Sequence, residues 1–205
     1  MPWIQTYSGI AFKPFEPSPD MISLEDIAHA LSMICRFNGH TRNFYSVAEH
    51  CVIMSELIPG PYEIHALMHD AAEAYLSDIA RPIKPHLPVF KAAEDRILGV
   101  IYERFGLQAD SAIESAVKIA DVRMLVTERQ QLMKLEAPVW ETLRDVVPYD
   151  VKLPCWTPHE AEQFFLERFQ KLISGETKIL CDKCGASMSW WTVSGLCTKC
   201  RKEQK

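Results

Sequence analysis

"LMHDAAEAYLSDIARPIK", residues 67–84, places ionisable side chains where a buried helix would carry leucine or alanine. His69 and Asp70 stand side by side after an apolar Ala-Leu-Met run, and Glu73, Asp78, Arg81 and Lys84 follow. An unpaired charge buried in such a setting is strongly destabilising, so these groups need partners. Neighbours on a helix point about 100° apart, so two of them hold one ion only if other helices supply further ligands. His50, after "SVAE", and Asp121, in "VKIAD", interrupt apolar helical stretches in the same way. Taken singly, a helical histidine is usually a hydrogen-bonded core or surface residue, and a helical aspartate is usually exposed or salt-bridged. One divalent cation held by His50, His69, Asp70 and Asp121 would satisfy all four. Mixed nitrogen and oxygen donors suit Zn, Mn, Co, Fe or Ni rather than Ca. Glu73 lies four residues after His69 and three after Asp70, which puts it on their helical face, although glutamates at such positions are often simply exposed.

Outward from this stretch, helical signals dominate. Ser23 with Asp26, and Ser46 with Glu49, read as capping boxes opening "SLEDIAHALSMIC" and "VAEHCVIMSELI". "GPYEIHALMHDAAEAYL" reads as one buried helix, and "PVFKAAEDRILGVIYERFG" as an amphipathic one ending at Gly106. "SAIESAVKIADVRMLVTERQQLMKLE" is the longest run, closed by Pro138. Thr157, Pro158 and Glu160 cap "AEQFFLERFQKLI". Residues 1–20, rich in proline and aromatics, read as an irregular or short extended arm. The expected fold is all-α: a helical bundle over residues 1–174, arm included, followed by a small module over 175–205.

That module carries its own motif. Cys181 and Cys184 are followed, after twelve intervening residues, by Cys197 and Cys200. Two Cys-x-x-Cys knuckles complete a tetrahedral thiolate site with no open position, so the pattern resembles a zinc ribbon whose structural Zn supplies its folding energy. Residues 176–205 hold six Lys/Arg against three Asp/Glu. A zinc tetrathiolate cancels most of that excess, so nucleic-acid binding is not expected, and Trp190 and Trp191 more readily cover the metal site than stack on bases. The full chain of 205 residues has net charge -5 and 48% apolar composition. These values offer no general attraction to nucleic acid or membranes and leave room for one sizeable core. There is no apolar run of membrane-spanning length and no secretory signal pattern, so a cytoplasmic location is expected.

The blocks "YSVAEH", "MHDAAEAYLSDIARPIK" and "VKIAD" together resemble the HD-domain metal-dependent phosphohydrolases over about residues 22–172. The resemblance is to the 5'-deoxynucleotidase branch and the phage dATP triphosphohydrolases within it. It implies an HD-domain helical bundle with His50, His69, Asp70 and Asp121 on a catalytic Zn, Co or Mn, additional Mg being compatible. Glu73 then orients or deprotonates the attacking water. Asp78 contacts the sugar or a second metal, although a turn or capping role fits it nearly as well. Arg36, Lys84 and Lys118 would grip phosphate, with Arg42 and Arg81 nearby. Phe37 would stack on base or sugar, although such a residue is more often core. His40 is a rival first ligand, disfavoured by its loop position. The implied reaction is hydrolysis of dATP to deoxyadenosine and tripolyphosphate. A 5'-deoxynucleotidase releasing phosphate from deoxynucleoside monophosphates is the alternative, followed by a cyclic-nucleotide or oligonucleotide phosphodiesterase. A contrasting reading is a non-catalytic protein binding a partner or nucleic acid through the ribbon. The resemblance also implies a homo-oligomer.

Overall fold

The computed structural model describes residues 2–58, 60–134, 136–138 and 140–175, and these are mostly helical. The helices are α1 (Leu24–Met33), α2 (Val47–Leu57), α3 (Glu63–Met68), α4 (Glu73–Leu76), α5 (Pro88–Phe105), α6 (Ser111–Leu132) and α7 (Pro158–Ser174). The chain divides into two compact units, residues 1–168 and 169–205. Of the second, the described part is the end of α7 and Gly175. The expected zinc ribbon, with Cys181, Cys184, Cys197 and Cys200, lies outside the described residues. No helix among the described residues is long and apolar enough to cross a membrane.

Helix α2 is the centre of the bundle. Every residue from Val47 to Ser55 is buried, and the helix packs against α1, α3 and α6. A helix enclosed on all sides must pair each polar group it carries inward, and α2 carries Glu49, His50 and Ser55. Ser55 is met from α7. Arg168 donates to the Ser55 hydroxyl (2.9 Å) and carbonyl (2.8 Å) and to Glu63 at the start of α3 (2.7 Å).

The N-terminal arm takes the short extended form. Strands β1 (Ile4–Gln5) and β2 (Ala11–Phe12) form a small antiparallel hairpin, with Ile4 opposite Phe12. Phe12 is fully buried and stacks on Tyr75 of α4 (centroids 4.0 Å apart), which anchors the arm beside the site.

Two of the expected capping boxes are only half formed. Ser46 accepts from the Glu49 backbone N–H (3.0 Å), as the motif requires. The Glu49 carboxylate instead accepts from the backbone N–H groups of Cys155 and Trp156 (both 2.8 Å). Burial pushes the Glu49 carboxyl up to about 8, against the pull of those two donors. Ser23 and Asp26 repeat the pattern. Ser23 accepts from Asp26 N–H (3.4 Å), while the Asp26 carboxylate takes both the N–H (2.6 Å) and the hydroxyl (2.8 Å) of Ser8. In both cases the third residue of the helix faces the interior and pins a distant segment. The box at Thr157 faces solvent and closes on itself, Glu160 accepting from the Thr157 N–H (2.9 Å) and hydroxyl (2.8 Å). Replacing Glu49 with alanine would orphan two buried N–H groups. It is expected to cost about 2–4 kcal/mol in denaturant unfolding, against a much smaller loss for Glu160→Ala.

Two helices differ from expectation. The run 60–76 is broken into a 3-10 turn (Gly60–Tyr62), α3, a tight turn at residues 69–72, and α4. Through that turn the bonds are i to i−3: Ala71 to Met68 (3.1 Å), Glu73 to Asp70 (2.9 Å) and Tyr75 to Ala72 (3.1 Å). The His69 ring competes there for a helix acceptor, its Nδ1 lying 2.8 Å from the Ala66 carbonyl. Helix α6 stops at Leu132, before the expected end near Pro138. Its last carbonyls are taken by Arg42, whose backbone N–H donates to Leu132 (2.8 Å) and whose guanidinium donates to Gln131 (2.8 Å). Arg42 is therefore a helix cap in this fold.

Candidate metal centre

Three elements converge on one point. His50 comes from the middle of α2, His69 and Asp70 from the turn after α3, and Asp121 from the middle of α6. His50 Nε2 lies 3.4 Å from His69 Nε2, 3.5 Å from Asp121 Oδ1 and 3.9 Å from Asp70 Oδ2. His69 Nε2 lies 3.1 Å from Asp70 Oδ2. Ligands about 2.1 Å from a tetrahedral or octahedral ion stand roughly 3.0–3.5 Å apart, a range that the His50–His69, His50–Asp121 and His69–Asp70 separations meet and the His50–Asp70 separation exceeds. His50, His69 and Asp121 form a group that could hold a metal ion.

The ring orientations support this fit. His50 Nδ1 is 2.6 Å from Glu128 Oε1, and His69 Nδ1 is 2.8 Å from the Ala66 carbonyl. Each acceptor draws the ring proton to Nδ1 and leaves the Nε2 lone pair facing the convergence point, an arrangement typical of metal-ligating histidines. A second group, Cys51 with His69 and Asp70, also has the spacing for a metal. It is the weaker set, because burial pushes the Cys51 thiol up to about 11 and His69 Nδ1 already faces Ala66.

Arg36 and Glu128 were not anticipated in the roles they have. Arg36 is buried and donates from Nε (3.2 Å) and Nη2 (3.1 Å) to Glu128 Oε2. Its Nη1 lies 3.5 Å from Asp70 Oδ2. Burial opposes its charge, but Glu128, Asp70 and Asp121 together raise its pKa well above the usual guanidinium value. The expected phosphate grip is thus directed inward, onto the ligand set. Glu128 is fully buried and bridges Arg36 to His50. A signal for it existed in the sequence, since Glu128 follows Asp121 by seven residues, two turns along the same face of α6. Glu128→Gln is expected to weaken metal binding about 10–100-fold without loss of helix. Titration of the metal-free protein with Mn²⁺, beside a circular dichroism spectrum, checks both.

A cavity of about 770 Å³ opens beside the ligands and is lined by Glu73, Arg81, Lys84 and Lys118, among others. Glu73 is 3% exposed. Its Oε1 accepts from Lys84 Nζ (3.1 Å), while its buried Oε2 meets no partner among the described residues. Burial, then the charges of Asp70 and Asp78, push the Glu73 carboxyl up to about 9. Lys84 Nζ also donates to Glu94 (2.9 Å). Arg81 Nη2 donates to Asp121 Oδ2 (2.7 Å), leaving Oδ1 toward His50. Lys118 is an exposed residue of α6 on the cavity wall. Asp78 sits half-buried in the loop after α4, and burial raises its carboxyl pKa. Phe37 stands outside that lining, its ring 5.6 Å from the Arg36 guanidinium, and φ is positive (54°) at this residue. His40 is exposed and belongs to neither group that could hold a metal.

No protein-family model matches the chain. Over 174 residues it is 41% identical to the uncharacterized protein YfdR of Escherichia coli K12, covering 84% of this chain and 96% of that one. The chain belongs to the YfdR family. A second relative, the uncharacterized protein RCAP_rcc00048 of Rhodobacter capsulatus, is 35% identical over 142 residues, 63% of this chain and 72% of its own length. Both relatives of this YfdR-family chain carry names that specify no reaction, so its chemistry is argued from the site.

Proposed function

We propose that the chain is a metal-dependent phosphohydrolase of the HD-domain type acting on deoxynucleotides. The observation that carries this reading is the convergence of His50, His69, Asp70 and Asp121 beside a cavity lined by Glu73 and Lys84. A divalent transition metal bound there would acidify a water molecule and polarise a phosphoryl oxygen. The residues supply the rest. Glu73, fixed through one oxygen by Lys84, presents the other to take a proton from the attacking water. Lys118 faces the cavity where phosphate charge would lie, and Arg36 holds Asp70 and Glu128 in place. A structural Zn on Cys181, Cys184, Cys197 and Cys200, self-association and a cytoplasmic location belong to the same proposal.

The resemblance to the phage enzymes favours dATP, cleaved to deoxyadenosine and tripolyphosphate. A second reading, a 5'-deoxynucleotidase, is favoured by a specific observation. Of the cations invoked to neutralise a triphosphate, Arg36 is engaged by Glu128, Arg42 caps α6, Arg81 is held by Asp121 and Lys84 by Glu73 and Glu94. A triphosphate carries about four negative charges near neutral pH and needs more free cation than this arrangement offers. Incubation of the Mn²⁺-loaded protein with dATP and with dAMP separates the readings. Tripolyphosphate from dATP establishes the first, and orthophosphate from dAMP with dATP intact establishes the second. Turnover of neither, across the four bases, removes the proposal.

A further inference from the structure

His65 occupies the same cavity wall one helical turn before His69, and the metal chemistry gives it no task. Its ring is 6% exposed. Nε2 lies 3.0 Å from the carbonyl of Gln108, in the loop between α5 and α6. A carbonyl only accepts, so the ring proton belongs on Nε2, and in the neutral tautomer Nδ1 carries a lone pair. That Nδ1 is buried and meets no hydrogen-bond partner among the described residues. Orphaned acceptors of this kind are uncommon in folded proteins. Tyr102 stands edge-on to the ring (centroids 5.6 Å apart, planes at 86°) and holds its orientation. Tyr102, Leu98, Ile113 and Val117 also line the cavity, so His65 shares it with apolar side chains as well as with the ionic ones.

We infer that His65 is a substrate-recognition residue whose Nδ1 accepts a hydrogen bond from the nucleoside part of the ligand. This rests on the deoxynucleotide reading given above. With phosphate held at the metal, the rest of the molecule would lie in the cavity that His65 lines together with His69 and Asp70. A neutral acceptor there selects a donor, and a deoxyadenosine nucleotide offers two, the sugar 3'-hydroxyl and the exocyclic amine of the base. An apolar wall would suit base and sugar alike, so the single buried acceptor sets the orientation in which either is held. Such an acceptor discriminates sharply, because a ligand lacking the donor leaves it unpaired.

The test is calorimetric binding to the full-length, Mn²⁺-loaded chain in a Glu73→Gln background, which prevents turnover. The ligands are dAMP, its 2',3'-dideoxy analogue, deoxyinosine monophosphate and the three corresponding triphosphates. With His65 intact, loss of the recognised donor is expected to weaken binding about tenfold. His65→Gln keeps a donor toward Gln108 but moves its acceptor, the amide oxygen, off the Nδ1 position, and should bind parent and analogue within about twofold of each other. His65→Asn, whose amide oxygen can take the place of Nδ1, should restore part of the discrimination, and thermal melts of both variants report folding. The 3'-hydroxyl is the donor if the dideoxy arm collapses, and the base amine if the inosine arm does. If dAMP or dATP binds but both analogues bind equally well, or if folded His65→Gln discriminates as the parent does, the role of His65 is overturned and the deoxynucleotide reading stands. If no nucleotide binds at all, both fall.

Discussion

Asp70→Ala is expected to abolish both metal binding and phosphohydrolysis while leaving the helical content unchanged. Asp70 Oδ2 lies within 4 Å of both histidine Nε2 atoms and of Arg36 Nη1, so its loss removes a ligand and the anion that Arg36 faces. The Arg36 guanidinium, 3.5 Å from Asp70 Oδ2, favours the ionised carboxyl that coordination requires. Turnover should fall by about a thousandfold or more, the scale on which a metal-generated nucleophile exceeds bulk water. The check is metal content by elemental analysis together with phosphate release. Cys181→Ser is expected to act on the tail and spare the core chemistry. Equal loss of hydrolysis in a folded, assembled cysteine variant would show that the two metal sites are not separate in function.

Glu73→Gln should separate binding from chemistry. The amide keeps the volume of the side chain and can still accept from Lys84, so metal and nucleotide should bind as in the parent. It cannot take a proton from water, and loss of a positioned general base lowers turnover by about 10²–10⁴. Glu73 Oε2 is the oxygen without a partner among the described residues, and because burial and the charges of Asp70 and Asp78 raise its carboxyl to about 9, its base form depends on a bound cation to offset those charges. Pre-steady-state measurement with saturating nucleotide distinguishes a chemical defect from slow product release. Turnover within a few-fold of the parent would remove Glu73 from the mechanism.

The helices were legible in the sequence because periodicity, caps and stop signals agreed: Gly106 ends α5 in a left-handed turn, and the Thr157 box and Pro158 open α7. The ligand candidates were legible because ionisable residues inside apolar stretches are costly unless paired. The partners chosen by buried carboxylates were not. A capping motif fixes the local half of Glu49 and Asp26, but their carboxylates went to Cys155, Trp156 and Ser8, which no short-range pattern names. Arg36 was read as facing substrate because a guanidinium ahead of a ligand helix suits phosphate. Its actual acceptor, Glu128, lies 92 residues away and emerges only when α6 crosses α2. The break after α3 was hidden for a related reason: helix propensity is satisfied throughout residues 63–76, while the His69 ring that competes for the Ala66 carbonyl is a tertiary choice.

The bond from Trp156 to Glu49 spans 107 residues and enters α2 one position before His50. During synthesis the centre of the bundle therefore emerges long before the strap that neutralises its buried carboxylate. A nascent chain ending short of residue 155 holds His50, His69, Asp70 and Asp121, yet must keep Glu49 hydrated or protonated, which works against closing the interior around α2. Enclosure of α2 is thereby tied to completion of nearly the whole first unit. A pairing over so long a separation is expected to form late in folding.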